Sequence, residues 1–167
     1  MTVDIDQIGD SNSFLASILQ GNSSSWTYKV TGDSNSATLA VGASGDVASS
    51  DFDYITVGDS NVLVWTQGAA STATGANNDF AITGTSNSVT GVCEVVGCIN
   101  NWDIDGNSNT ITTLQTGSAD HAITVALTGS SNTVTIDQTD TSSTNVANII
   151  STTSSGTINV DQCASGC

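Results

Sequence analysis

A four-residue phrase, GxSN, recurs along the chain at nearly constant spacing. It reads GDSN at 9–12, 32–35 and 58–61, GTSN at 84–87, GNSN at 106–109 and GSSN at 129–132. Its glycines, Gly9, Gly32, Gly58, Gly84, Gly106 and Gly129, are 23, 26, 26, 22 and 23 residues apart. A phrase rewritten at such a period confines a chain to repeat architectures, in which each unit buries its apolar side against the next. A seventh, degenerate copy closes the series. VTIDQ at 134–138 matches INVDQ at 158–162, which sets Thr153 opposite Gly129 and Gly156 opposite Asn132. Gly and Asn take positive φ most readily, so the exchange is expected to keep the shape of the corner.

With the glycines in register, the columns become readable. Four residues before each stand Ile5, Tyr28, Tyr54, Phe80, Trp102, Val125 and Ile149. Two residues after Asn12, Asn35, Asn61, Asn87, Asn109, Asn132 and their counterpart Gly156 stand Phe14, Ala37, Leu63, Val89, Ile111, Val134 and Ile158. Both columns are apolar throughout. The column beside the first (Asp4, Thr27, Asp53, Asp79, Asn101, Thr124, Asn148) is polar throughout. Period-two alternation on both sides of a turn marks half-buried strands.

The chain is therefore expected to be all-β: one domain over 1–167, a single β-solenoid of about seven strand–turn–strand coils of 22–26 residues each, with two facing parallel in-register sheets. A β-sandwich is the runner-up, but it does not require one residue class per column. Adjacent strands lie ~4.8 Å apart, so the rod would be roughly 34 Å long. In each corner Gly is expected to bend the chain. Asn should tolerate the left-handed region and pair with the Asn of the next coil, while the Ser before it satisfies a turn N–H.

Composition excludes several functions. There are 16 acidic residues against a single Lys or Arg, Lys29, for a net charge of −15. Nucleic acid and anionic membranes both demand a basic patch. No stretch approaches the ~20 apolar residues of a membrane span. MTVDIDQIG at the start lacks the basic and apolar regions of a secretory signal. The expectation is a chain made without one, or a mature form with an added Met.

No constellation specifies catalysis. His121, the single histidine, falls in the linker before coil six and is expected to be an exposed loop residue; Glu94 is the single glutamate. Cys93 and Cys98, and Cys163 and Cys167, are spaced C-x4-C and C-x3-C, unlike the usual zinc spacing. The two pairs lie three coils, or roughly 14 Å, apart, beyond the ~7 Å Cα separation a disulfide allows. Local bridges Cys93–Cys98 and Cys163–Cys167 come first, and links to a neighbouring subunit second; either places the working form in an oxidising compartment. Asp10, Asp33 and Asp59 would stack, which invites a cation, against the simpler reading of solvated turn carboxylates. No metal, cofactor or catalytic residue is assigned.

The phrase Gln7-Ile-Gly9-Asp-Ser-Asn12 resembles curlin repeats, the units of bacterial curli fibres, which read roughly Q-x-G-x-x-N with apolar alternation and a further Gln. Gln20, Gln67, Gln115, Gln138 and Gln162 fall near strand ends, where such repeats often carry Gln; most copies lack the leading Gln. The resemblance implies a curlin-like β-solenoid with a structural, non-enzymatic role. Similar repeats are also used in tail, fibre and decoration proteins of bacterial viruses, marine ones among them.

Neither end carries a polar cap, and open strand edges are templates for pairing. The expected partners are further copies or other structural subunits, in a homo-oligomer or docked on a larger scaffold. Val62 and Val64, outward in coil three, are the candidate lateral contact. The first functional reading is a virion component (decoration, fibre or tail-associated) on the surface of a bacterial virus, marine ones included. The alternative is a mature curlin-like subunit of an extracellular fibre. A lesser one is ice binding, from the outward Ser36/Thr38, Ser88/Thr90, Thr110/Thr112 and Thr133/Thr135, an array broken at Ser13/Leu15 and Val62/Val64.

Overall fold

The computed structural model describes residues 1–18, 23–42, 49–68, 75–94, 97–116, 121–139 and 145–162. Among them the fourteen strands fall into two sheets of seven, and no helix is present. The odd sheet holds β1 (Thr2–Ile8), β3 (Ser25–Thr31), β5 (Asp51–Val57), β7 (Asn77–Thr83), β9 (Ile99–Asp105), β11 (Ala122–Gly129) and β13 (Val146–Thr153). The even sheet holds β2 (Ser13–Ile18), β4 (Ser36–Val41), β6 (Val62–Gln67), β8 (Ser88–Cys93), β10 (Thr110–Gln115), β12 (Thr133–Gln138) and β14 (Thr157–Gln162). Consecutive strands lie in opposite sheets, and each pairs in parallel with the strand two places along. This is a β-solenoid; a sandwich of sequential antiparallel strands is excluded.

The expected columns are the observed registers. Tyr28, Tyr54, Phe80, Trp102 and Val125 are successive partners in the odd sheet. Leu63, Val89 and Ile111 are successive partners in the even sheet. The degenerate seventh copy is in register too, with Gly129 opposite Thr153. Strands alternate buried and accessible residues, so each sheet turns one face into a shared core. Large side chains such as Trp65, Trp102, Tyr54, Phe80 and Leu63 are fully buried there, and each contributes about 1.5–3 kcal/mol of hydrophobic stabilisation.

The core is not uniformly apolar. Its column nearest the linkers in the even sheet is Gln67, Cys93, Gln115 and Gln138, all buried, and then Gln162. Facing it, Asn78 and Asn100 are buried as well, with Asn78 Nδ2 donating to Asn100 Oδ1 at 2.9 Å. The glutamines continue this network along the rod: Gln162 donates to Gln138 at 2.7 Å, and Gln138 to Gln115 at 2.8 Å. Hydrogen bonding removes most of the cost of burying such groups.

The corner differs from expectation in one respect. The left-handed residue after each glycine is Ser, not Asn: Ser11, Ser34, Ser60, Ser86, Ser108 and Ser131 all have φ of 57–59°. Asn is freed for another task. The backbone N–H of Asn12, Asn35, Asn61, Asn87 and Asn109 each donates to Oδ1 of the Asn one coil on, at 2.8–2.9 Å. Asn thus forms the expected ladder, but with a side-chain oxygen serving a backbone donor. Gly156, at the Asn position of the seventh corner, does not take positive φ. Glycine heads the phrase because coils approach closely there. Gly32 has φ +124°, and a Cβ on it would lie 2.6 Å from the carbonyl oxygen of Gly9.

Candidate assembly interfaces

The rod has four distinct surfaces: its two ends and its two broad faces. Among the described residues, β1, β2, β13 and β14 at the ends each have a neighbour on one side only. The inward residues of coil one (Val3, Ile5, Phe14, Ala16) and of coil seven (Ala147, Ile149, Ile158, Val160) are only partly buried. Their counterparts in the middle coils are covered from both sides. Both ends therefore expose unpaired backbone and half-covered core, the combination that templates strand addition.

The faces differ in charge. The outer face of the odd sheet carries Asp4, Asp6, Asp51, Asp53, Asp79, Asp103 and Asp105, together with Lys29. Asp53 and Asp79 are register neighbours. Burial first, and then the charges of Asp79 and Asp51, push the Asp53 carboxyl above its usual pKa. Asn101 Nδ2 donates to Asp79 Oδ1 at 2.8 Å. The outer face of the even sheet is different: Ser, Thr, Ala, Val and Leu line its strands in coils one to five, and the carboxylates on this side are Asp137, Asp161 and the half-buried Glu94 just past the end of β8. Val62 and Val64 point outward here at 40% and 41% exposure, as expected, and the Ser/Thr array shares this face.

Asp10, Asp33 and Asp59 stack at the corner, each taking a backbone donor from the coil that follows. Asp33 N–H donates to Asp10 Oδ1 at 2.8 Å, Asp59 N–H to Asp33 Oδ1 at 2.7 Å, and Thr85 N–H to Asp59 Oδ1. The fourth link uses Asn107 Oδ1 and Ser130 N–H, at 2.7 Å. The Asp column is thus a second ladder, running opposite to that of Asn, with no cation needed to join it. Among the described residues no group of three or more His, Cys, Asp or Glu is placed to hold a metal ion.

Cys93 and Cys98 form a disulfide, the local pairing expected from the sequence, and both are fully buried. It joins the end of β8 to the start of β9. Cys163 and Cys167 lie outside the described residues. His121 corrects an expectation: it is 1% exposed, and its Nδ1 accepts the Cys98 N–H at 3.3 Å. Its place just before β11, one coil on from Cys98, sets it against the disulfide inside the core and so out of solvent. The columns are strict at the corner, whereas the buried amides and this histidine stand near the linkers, where the repeat is looser. The recurrence of Gln before several linkers, at Gln67, Gln115, Gln138 and Gln162, is the available sign.

Residues 106–139 match the curlin-associated repeat. The match runs from the corner glycine of coil five through β10, β11 and β12, and includes Gln115 and Gln138 of the buried ladder. The curlin-like reading of the sequence therefore holds, on a chain that folds as a β-solenoid. No curated protein and no solved structure matched the chain.

Proposed function

We propose that this protein is a non-enzymatic structural subunit that works by end-to-end stacking into an extracellular fibre. The observation that carries the reading is the pair of open, half-covered ends on a rod bearing a curlin-associated repeat. Continuing the solenoid register from coil seven into coil one of the next copy would set Ile149 on Ile5, Ile158 on Phe14 and Val160 on Ala16. On the outer faces Asn148 would meet Asp4, Ile150 would meet Asp6 and Asp161 would meet Ser17. No carboxylate would face another across the junction, although Asp53 faces Asp79 inside the chain. The Asn ladder, interrupted at Gly156 for want of a side-chain oxygen, would resume at the junction, with the Gly156 N–H directed at Asn12 Oδ1 of the next copy. The interior pairs bury apolar surface and the edges complete two sheets, so stacking is favourable despite the net charge.

A virion component would use the same ends, docked on a capsid or tail. Acidity and a solenoid shape suit that role, but the repeat match speaks for the fibre, so the fibre is put forward.

The test is Ile149→Lys combined with Ile158→Lys, which places charges at the open end of coil seven, where stacking would bury them. Wild-type protein should form rods at high concentration, seen by electron microscopy, and the variant should fold by circular dichroism yet stay short. Wild-type protein that stays monomeric, or a variant that still forms rods, would overturn the reading.

A further inference from the structure

The two broad faces divide the charge of the molecule so unequally that only one can meet a second copy. We infer that the outer face of the even sheet is a self-association surface, pairing two copies of this chain face to face about a two-fold axis that runs along β6. The inference rests on the structural-subunit reading and adds lateral pairing to it.

The choice of occupant follows from charge. At −15 the chain repels its own kind, and Lys29 is its one basic side chain of the Lys/Arg type. A basic partner would be drawn to the odd sheet, with its seven carboxylates. The even sheet offers such a partner little over coils one to five, where its outward strand residues are Ser, Thr, Ala, Val and Leu and a single carboxylate, the half-buried Glu94, stands at the rim past the end of β8. What this face suits is another like it. Each hydroxyl both donates and accepts, so a Ser/Thr surface can satisfy a copy of itself. Leu15, at 78% exposure, and Val62 and Val64, at 40% and 41%, supply methyl groups that water solvates poorly.

The position of the axis follows from the same residues. An isologous contact is self-complementary. An axis along β6 sets Val62 and Val64 against their own copies and coil two against coil four. Coil one then lies against coil five. Coils six and seven overhang, which leaves Asp137 and Asp161 outside the contact. The two acidic odd sheets end up on the far sides of the pair. With facing sheets ~10 Å apart, three such spacings separate them by roughly 30 Å. That is several screening lengths of ~8 Å at physiological ionic strength. Five strands ~4.8 Å apart and about six residues long cover on the order of 480 Å² per copy. The total, about 1,000 Å², sits at the lower limit for a specific interface, so the pair should be weak and reversible in isolation. In stacked rods the contact would recur along the length and strengthen by multivalency, while coil six would then face coil seven of the partner rod and set Asp137 against Asp161, a repulsion that salt screens.

The test uses the full chain carrying Ile149→Lys and Ile158→Lys, so that lateral pairing is measured apart from stacking. Sedimentation velocity should show monomer at low salt, where the screening length is ~30 Å, and dimer near 1 M salt, where it is ~3 Å. Adding Val64→Asp should restore the monomer in high salt. Adding Val57→Asp, an exposed position on the odd sheet, should not. Independently, Val64→Cys should cross-link to itself through a short bismaleimide, which spans the ~10 Å between facing sheets that a disulfide does not, to an extent that neither the unsubstituted background nor Val57→Cys reaches. A monomer in both salts with no Val64→Cys cross-link would overturn the inference, and so would a dimer that Val64→Asp leaves intact. In either case the stacking of the wild-type ends would stand untouched.

Discussion

A methyl group built on Gly91 would lie 2.9 Å from Cε3 of Trp65. Gly91 follows Trp65 in the register of the even sheet, and on its other side the Trp102 ring edge lies 3.9 Å from the same added atom. The missing side chain is the space that two tryptophans fill. Trp102 in turn stacks on Phe80 with centroids 3.8 Å apart, and Trp65 meets Phe80 edge-on at 5.3 Å. Gly91→Ala should therefore destabilise the fold by about 1–3 kcal/mol through overpacking. Chemical denaturation measures this, and an unchanged midpoint would show that the rings can give way.

Asn87 should be costly to lose for a different reason. Its Oδ1 accepts the Asn61 N–H at 2.9 Å, inside a buried corner. Asn87→Ala leaves that donor without its acceptor, at a cost of about 1–3 kcal/mol. Hydrogen exchange should show the Asn61 amide losing protection before the amides of strand centres do.

The disulfide closes a short loop between β8 and β9. Replacing both Cys93 and Cys98 by Ala should cost about 2 kcal/mol on the chain-entropy account, read as a lower urea midpoint. Equal midpoints for the two proteins would mean that packing alone holds this linker.

Asp53 gives a pH dependence with a definite sign. Its folded-state pKa is raised, so the folded chain binds more protons than the unfolded one just above the usual carboxylate range. Stability from this group therefore falls as pH rises through that window. Asp53→Asn should raise the melting temperature at neutral pH, and the gain should shrink as pH falls through that window and vanish below about 3.9. A loss of stability at neutral pH would reverse the assignment.

The sequence disclosed the architecture because the repeat is strict where coils touch. Gly32 cannot carry a Cβ beneath Gly9, and Asn61 cannot drop its oxygen, so the corner keeps its letters. The two apolar columns follow at fixed offsets from it. The αL residue was misplaced because Ser is a less usual occupant of that region than Asn, and the neighbouring Asn drew the inference. His121 was misread because a linker position suggests exposure, whereas residue 121 already lies at the entrance to β11, pointing into the core. The polar column was half visible in the spacing of Gln67, Gln115, Gln138 and Gln162. Cys93 interrupts that spacing, and Asn78 and Asn100 enter from the other sheet, so only the tertiary fold brings them together. The charge difference between the faces became legible once the register had assigned each Asp to one side.

The central claim is that coil seven of one copy continues into coil one of the next in the solenoid register. In that register Asn159 of one copy lies beside Leu15 of the following one, both outward on the even sheet. Neighbouring strands there are ~4.8 Å apart, within disulfide range. The double variant Leu15→Cys with Asn159→Cys, oxidised mildly at high concentration, should give a ladder of covalent oligomers on a non-reducing gel. Each single variant should yield no ladder beyond that of the wild-type chain. A ladder absent from the double variant, or dimers from Leu15→Cys alone that match it in yield, would contradict head-to-tail stacking.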